Sequence, residues 1–333
     1  MLFFLPNPWS FHLTMANLPQ KEKVRFYFCF IFVFHYFCTM IQPIACSINV
    51  GGRLLSLSRP LVMGIINATP DSFYAASRTR TEHDIAARAD KLVGEGAAIV
   101  DVGACSTRPG SSPADADEEM SRLRTALAAV RRAQPDVVVS VDTFRPDVAR
   151  MAVEEYGVTI INDISEGGVG DVEGPKERQE EGVPEMFAMV ARLRVPYILT
   201  SVRADMDGML LAFAHEVEML HGLGVADIIL DPGFGFGKDL AGNYAVMARL
   251  HRLHALRLPI LVGVSRKSMV TRLLGCTADE ALHGTTALHA AALLQGASIL
   301  RVHDVRPAVE ACRVVTEILN NAPQGVAPAA YNY

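Results

Sequence analysis

Eight apolar runs in this chain each give way to a polar side chain able to bind a ligand. The eight are Asn67, Asp101, Asp142, Asn162, Thr200, Asp231, Ser265 and His303. Asp142, Asn162 and Asp231 together suit the edge of a flat heterocycle, because a carboxylate accepts paired N–H donors. Such recognition discriminates strongly, since a wrong ligand leaves buried polar groups unpaired. A second set is cationic. Arg108 lies in STRPG, Arg266 and Lys267 in SRKS, and Arg301 and His303 in RVH. Cations beside glycine-flexed loops suit a phosphate or pyrophosphate.

The stretch ILDPGFGFGK, residues 229–238, brings both sets together. Its apolar run delivers Asp231 into a loop where glycine alternates with phenylalanine. Glycines allow positive φ and a close approach of backbone to ligand. Phe234 and Phe236 need something to cover, because large exposed aromatics are costly. Lys238 does not complete a Walker A loop, since Pro232 stands where the first glycine belongs and Asp239 where the hydroxyl belongs.

The elements that must carry these residues follow from the spacing. Apolar runs at 61–66, 97–100, 137–141, 158–161, 197–199, 228–230, 260–264 and 299–302 read as strands. Helical sequence separates them, with Met120, Leu123, Leu127 and Val130 recurring at helical spacing. Near-continuous apolar strands imply burial on both faces, as in a parallel sheet. Eight strand–helix units predict a (β/α)8 TIM barrel, whose strand C-termini share one mouth. The rival, a doubly wound open sheet, lacks its glycine-rich first turn here. The segment 167–182 reads as a surface-loop insertion. The predicted organisation is an N-terminal extension over 1–48, a single barrel domain over 49–320 and a flexible tail over 321–333.

Composition narrows the function classes. The 333 residues are half apolar with a net charge of -5, which suits an ample core and argues against a nucleic-acid surface. Six cysteines without CxxC or zinc spacing point to a reducing, cytoplasmic home. After Lys21, Lys23 and Arg25 an apolar stretch interrupted by His35 resembles a signal anchor. It is short for a spanning helix. A start at Met40 and a membrane tether are both open readings of it, and the expectation for the barrel is no membrane. His251 and His254 read as an exposed helix face rather than a metal site, and Cys105 as a packing residue.

Seven segments together carry a family resemblance: VMGIINATPDSF, IVDVGACSTRPG, SVDTFRPDVA, IINDIS, ILDPGFGFGK, VGVSRKS and RVHDV. In this order, over residues 50–320, they resemble the dihydropteroate synthases. The resemblance implies a barrel enzyme of folate synthesis that joins 6-hydroxymethyl-7,8-dihydropterin diphosphate to 4-aminobenzoate and releases pyrophosphate, assisted by Mg²⁺. It implies small-molecule substrates and a homodimer. It places Asn67 at the metal and diphosphate, and Thr107, Arg108 and Pro109 in a loop over diphosphate and aminobenzoate. Asp142, Asn162, Asp231 and Lys267 match the pterin set, and Phe236 and Ser268 the aminobenzoate contacts. Arg301 and His303 match the diphosphate anchor, and with Lys267 they are the expected catalytic groups.

Two departures stand out. Ala104 and Cys105 replace the usual Gly-Glu before STRPG. Leu199-Thr200-Ser201-Val202 occupies the fifth strand end, where the family usually has Met-His-Met. Loss of a methionine there removes a soft apolar contact to the pterin face, so an altered pterin pocket is expected. A pterin-dependent methyl transfer to a corrinoid and a non-catalytic pterin-binding paralogue are the alternative functions.

Overall fold

Strand sequences rich in Val, Ile and Leu need cover on both faces, and here a closed ring supplies it. A computed structural model of the chain describes residues 46–68, 78–105, 114–168, 170–171, 174–175 and 182–321. Eight parallel strands make the ring: β3 (Leu61–Asn67), β4 (Ile99–Gly103), β5 (Val138–Asp142), β6 (Ile160–Asp163), β9 (Tyr197–Thr200), β10 (Ile228–Asp231), β11 (Leu261–Val262) and β12 (Ile299–Val302). β12 pairs with β3, and a bridge between Leu230 and Ile260 joins the two ends. Between the strands lie α1 (Arg78–Gly94), α2 (Ala116–Ala133), α3 (Pro146–Tyr156), α4 (Glu185–Leu193), α5 (Met206–Gly222), α6 (Leu240–Ala248), α7 (Ser268–Leu274), α8 (Leu282–Leu294) and α9 (Val305–Asn320). The expected (β/α)8 barrel is the fold.

The two-residue period of a strand divides its side chains between two cores. Met63, Ile99, Val138, Ile160, Ile198, Ile229, Leu261 and Ile299, one from each strand, point inward and fill the base of the barrel. Their neighbours, such as Val100, Val139, Leu199 and Leu300, point outward against the helices. Burial stabilises each such side chain by about 1.5–3 kcal/mol. Two steps further along, the inward positions turn polar: Asp101, Ser140, Asn162, Thr200, Asp231 and Arg301. That change of chemistry inside the barrel positions the site.

The base carries a feature that the apolar pattern did not reveal. β1 (Ser47–Val50) and β2 (Arg53–Ser56) form an antiparallel hairpin, and Ile48, Val50 and Leu57 pack onto the bottom layer. β1 alternates exposed with buried residues over only four positions and β2 buries none fully, too weak a pattern to register as strands. Strand boundaries also differ from expectation. Asp101 and Asn162 lie inside β4 and β6 rather than after them. An apolar run stops where the polar interior starts, but the backbone ladder continues past it.

Helix ends follow their sequence signals. Asp115 accepts the Glu118 amide at 2.8 Å to cap α2, and Asp239 caps α6 through Gly242 N at 2.6 Å. Gly157 closes α3 in the left-handed region. The 167–182 insertion contains a small hairpin, β7 (Gly170–Asp171) with β8 (Gly174–Pro175); residues 172–173 and 176–181 lie outside the described residues. At its start the chain is packed inward, with a Cβ on Gly167 only 2.5 Å from the Phe187 ring. His251 and His254 are half-buried and bonded to Gln295, at 3.2 and 3.0 Å, rather than exposed. Among the described residues no helix is long and apolar enough to cross a membrane. The apolar stretch before Cys46 lies outside them.

Candidate active site

At the mouth of the barrel one arginine organises the interior. Arg301, on β12, donates from Nε to Asp101 Oδ2 at 2.6 Å and from Nη2 to Asp142 Oδ2 at 2.5 Å. Asn162 Nδ2 donates to the same Asp101 oxygen at 3.2 Å. The register sets these neighbours, pairing Asp142 with Asn162 and Asp231 with Thr200. Burial opposes the charge on Arg301, but Asp101 and Asp142 outweigh it and hold the guanidinium firmly protonated. Burial also raises Asp142 and Asp231 above the usual carboxylate range, offset in part by Arg301 and Lys267 respectively.

Asp231 uses Oδ1 to accept the Gly233 amide at 2.8 Å. A Cβ on Gly263 would lie 3.9 Å from Asp231 Oδ2, Lys267 Nζ and Arg301 Cβ alike, so these three groups border one space that the glycine leaves open. Lys267 donates to the Phe234 carbonyl at 2.5 Å and stands 4.9 Å from the centre of the Phe236 ring. Burial pulls its ammonium down to about 8, against the attraction of Asp231. Phe234 is fully buried and packs the loop, whereas Phe236 stays half-exposed as a wall. Ser268, just past Lys267, is exposed at the start of α7.

Beyond Arg301 lies a basic cluster. Arg88 donates to the His303 carbonyl at 2.6 Å. Arg266 is bonded to both oxygens of Asp304, at 3.0 and 2.8 Å, and to Asp279 at 2.8 Å. His303 was expected as a cation, and its surroundings correct that. Burial first, then Arg301 and Arg266, push its ring down to about 4, so it is neutral at pH 7. Its Nδ1 and amide both meet Ser265 Oγ, at 3.2 and 3.1 Å. Arg266 is likewise committed to carboxylates rather than free. A dianion arriving here would favour protonation of His303.

Several buried polar atoms face this interior without a hydrogen-bond partner among the described residues: Asp101 Oδ1, Ser140 Oγ, Asn162 Oδ1 and Thr200 Oγ1. Native interiors rarely leave such groups unpaired, so a polar ligand is their natural complement. Asn67 ends β3 exposed. Among the described residues no cluster of three His, Cys, Asp or Glu side chains could hold a metal by itself. Thr107, Arg108 and Pro109 lie outside the described residues.

Asp101 and Thr200 stand among the ligand-capable strand ends but are given no partner by the sequence. They have the right signal, a polar residue closing an apolar run, but only inward parity separates them from ordinary strand ends. Lys238, tempting as a phosphate ligand, instead ties backbone: its Nζ donates to Gly233 O and Phe236 O, both at 3.0 Å, and reaches Ser201 O at 3.5 Å. Burial first, then Glu119, push the half-buried Cys105 thiol up, away from nucleophilic character.

Comparison with known proteins meets this geometry from outside. The family described as pterin binding enzyme matches residues 63–303. The dihydropteroate synthase of Escherichia coli (strain K12) is 38% identical over 287 residues, covering 81% of this chain and 95% of that protein. That of Bacillus subtilis (strain 168) is 34% identical, covering 79% and 90%. A Xanthomonas albilineans dihydropteroate synthase, solved with 4-aminobenzoic acid, superposes with a TM-score of 0.73 at 34% identity, covering 82% of this chain and 98% of the other. With the ring of inward acids and amides, the Lys267–Phe236 wall and these similarities together, the chain belongs to the dihydropteroate synthase family of pterin-binding enzymes.

Proposed function

We infer that this chain condenses 6-hydroxymethyl-7,8-dihydropterin diphosphate with 4-aminobenzoate, giving 7,8-dihydropteroate and pyrophosphate. One observation carries the reading. The unpartnered acceptors Asp101 Oδ1 and Asn162 Oδ1 sit in one interior with Asp231, where Arg301 and Lys267 supply donors. A flat heterocycle bearing both N–H donors and a carbonyl satisfies both kinds of group at once.

In the reaction the C–O bond between the pterin methylene and the diphosphate breaks, and the arylamine nitrogen forms a C–N bond in its place. Asp231 and Asn162 hold the heterocycle. Lys267 covers it from the loop side, and Phe236 offers a face to the aminobenzoate ring beside Ser268. Arg301 presents its remaining Nη1 donors toward the diphosphate, with His303 beside it able to take a proton as negative charge arrives. Preorganised donors of this kind stabilise the charge that develops on a leaving group. No strong base is required, because the amine loses its proton only after it has become cationic. Thr107, Arg108 and Pro109 would complete the diphosphate and aminobenzoate contacts, as the family resemblance implies.

We propose Mg²⁺ as the metal. The donor set fits an ion that arrives with the diphosphate: Mg²⁺ keeps several waters and takes one or two protein oxygens plus substrate phosphates. The Asn67 side-chain oxygen, exposed at the end of β3, would be such a ligand. When bound, the ion neutralises charge on the leaving pyrophosphate.

The direct test is pyrophosphate release by the purified chain with both substrates and Mg²⁺. Turnover is expected; pterin binding without turnover would overturn the reading. The same assay checks a pH effect. Lys267 is charged below about 8 in the free enzyme. kcat/KM is therefore expected to fall as pH rises through that value, because a neutral amine no longer attracts the diphosphate substrate. The kcat limb lies higher, since bound diphosphate favours the charged form. In Lys267→Gln the rate drops roughly 100-fold and the alkaline limb disappears.

Thr200 provides the second check. Thr200→Val keeps the shape and removes a buried hydroxyl that has no partner among the described residues. Its ligand-free Tm is expected to rise by about 2 °C. The KM for the pterin substrate is expected to rise about tenfold, because the hydroxyl is proposed to meet the heterocycle.

We also propose a homodimer and a cytoplasmic location. Leu273 and Leu274 on α7 and Val314 and Ile318 on α9 are exposed large hydrophobics, and both helices pack on α8. A second copy of this chain would cover that face, and light scattering should then report twice 36.2 kDa, reverting to one copy in Leu274→Asp. The cysteines among the described residues are free thiols, which supports a reducing compartment.

A further inference from the structure

The exit of β9 is tied by an ion pair to the turn that follows β6. Glu166, in the turn that follows β6, is fully buried and sits at φ 55°. The left-handed region is unfavourable for a residue with a Cβ and persists where surrounding contacts demand it. Those contacts are with the exit of β9. Glu166 Oε2 accepts the Val202 amide at 2.8 Å, and Oε1 accepts Arg203 Nε at 2.8 Å. The Arg203 amide donates to Ser201 Oγ at 3.2 Å, and its side chain is 32% exposed.

The same exit segment is the bed of the glycine–phenylalanine loop. Ser201 donates its amide to Asp231 O at 2.8 Å. A Cβ on Gly237 would come within 2.4 Å of Val202 O, so the two backbones touch. Lys238 fastens them further through Ser201 O and Phe236 O. Burial pulls the Lys238 ammonium down to about 8, and Asp231 first, then Glu166, favour its charged form. A continuous path therefore runs from Glu166 through Val202 and Lys238 to Phe236.

The geometry points to Glu166 and Arg203 as positioning residues that set the β9 exit, and through it the Phe236 wall against which the second substrate lies. Neither side chain touches that substrate. The inference rests on the reaction assigned above, since it takes Phe236 to be the aminobenzoate contact. The pair holds this strand end from outside the pocket rather than by filling it.

The test is steady-state kinetics of pyrophosphate release, varying each substrate separately. Wild-type turnover comes first, and its absence would count against the assigned reaction rather than against this pair. In Glu166→Gln and Arg203→Met the KM for 4-aminobenzoate is expected to rise roughly tenfold, with kcat and the pterin KM within about twofold of wild type. Arg203→Lys, which keeps the charge, should recover most of the loss. Glu166→Gln is isosteric and leaves an Arg203 that can turn to solvent, so it carries the test if Arg203→Met strands the buried carboxylate and fails to fold. Unchanged KM values in folded Glu166→Gln would overturn the inference. So would equal losses for both substrates that track the fraction folded.

Discussion

Arg301→Ala is expected to remove turnover by a factor of roughly 100–1,000 and to lower unfolding free energy by about 3–5 kcal/mol. The two losses have different origins. Arg301 is the shared partner of Asp101, which has no exposure, and Asp142, which has little. Its removal leaves both carboxylates without their cation. Catalysis is expected to suffer because the donors proposed for the diphosphate vanish with the side chain. A second substitution separates these effects. Asp101→Asn placed on Arg301→Ala removes one stranded charge and should recover part of the stability without recovering turnover. Arg301→Lys should fall between, since an ammonium keeps the charge but cannot span two carboxylates as a planar fork does. Urea unfolding and pyrophosphate release on the same preparations check all three variants.

Gly233→Ala is the second large expected effect, and its cause is steric. Gly233 has φ 65°, and a Cβ there would lie 2.0 Å from the Ser201 carbonyl oxygen. That oxygen belongs to backbone, so no side-chain rotation relieves the clash. The loop must separate from the β9 exit, breaking the Asp231–Gly233 hydrogen bond and the hold of Lys238. A loss above about 4 kcal/mol is expected, in the range reserved for disrupted packing and special backbone sites. Gly235→Ala is the control. It shares a positive φ, 87°, but its nearest neighbour is the flexible Lys267 side chain at 3.4 Å. It should cost only about 1–2 kcal/mol, the backbone strain alone. Equal urea midpoints for the two variants would refute the close-approach account.

Much of the fold was legible because parallel barrels write their strands as uninterrupted apolar runs. Each barrel strand was located, and the polar residue at each run's end was found. What the runs did not convey was where inside the barrel those residues stand. Asp101 looked like a strand terminus and is an interior group two steps above Ile99. The short β1–β2 hairpin was invisible for a related reason: it contributes few apolar side chains, and their purpose, sealing the barrel base, exists only once the base exists.

The chain by itself determined the parts list: acids and amides for a heterocycle, cations for an anion, and glycines where a loop must approach another backbone. Local chemistry carries that much, because residue type limits what a side chain can accept, donate or neutralise. Only the tertiary structure decided charge state and partnership. His303 is neutral because burial and two arginines surround it. Arg301 is committed because the barrel's register brings Asp101 and Asp142 to it from strands far apart in the chain. Lys238 became a backbone tie and Lys267 the cation of the site through placement alone. Desolvation and through-space charge depend on which groups meet in the folded interior, and no linear pattern of residues states that.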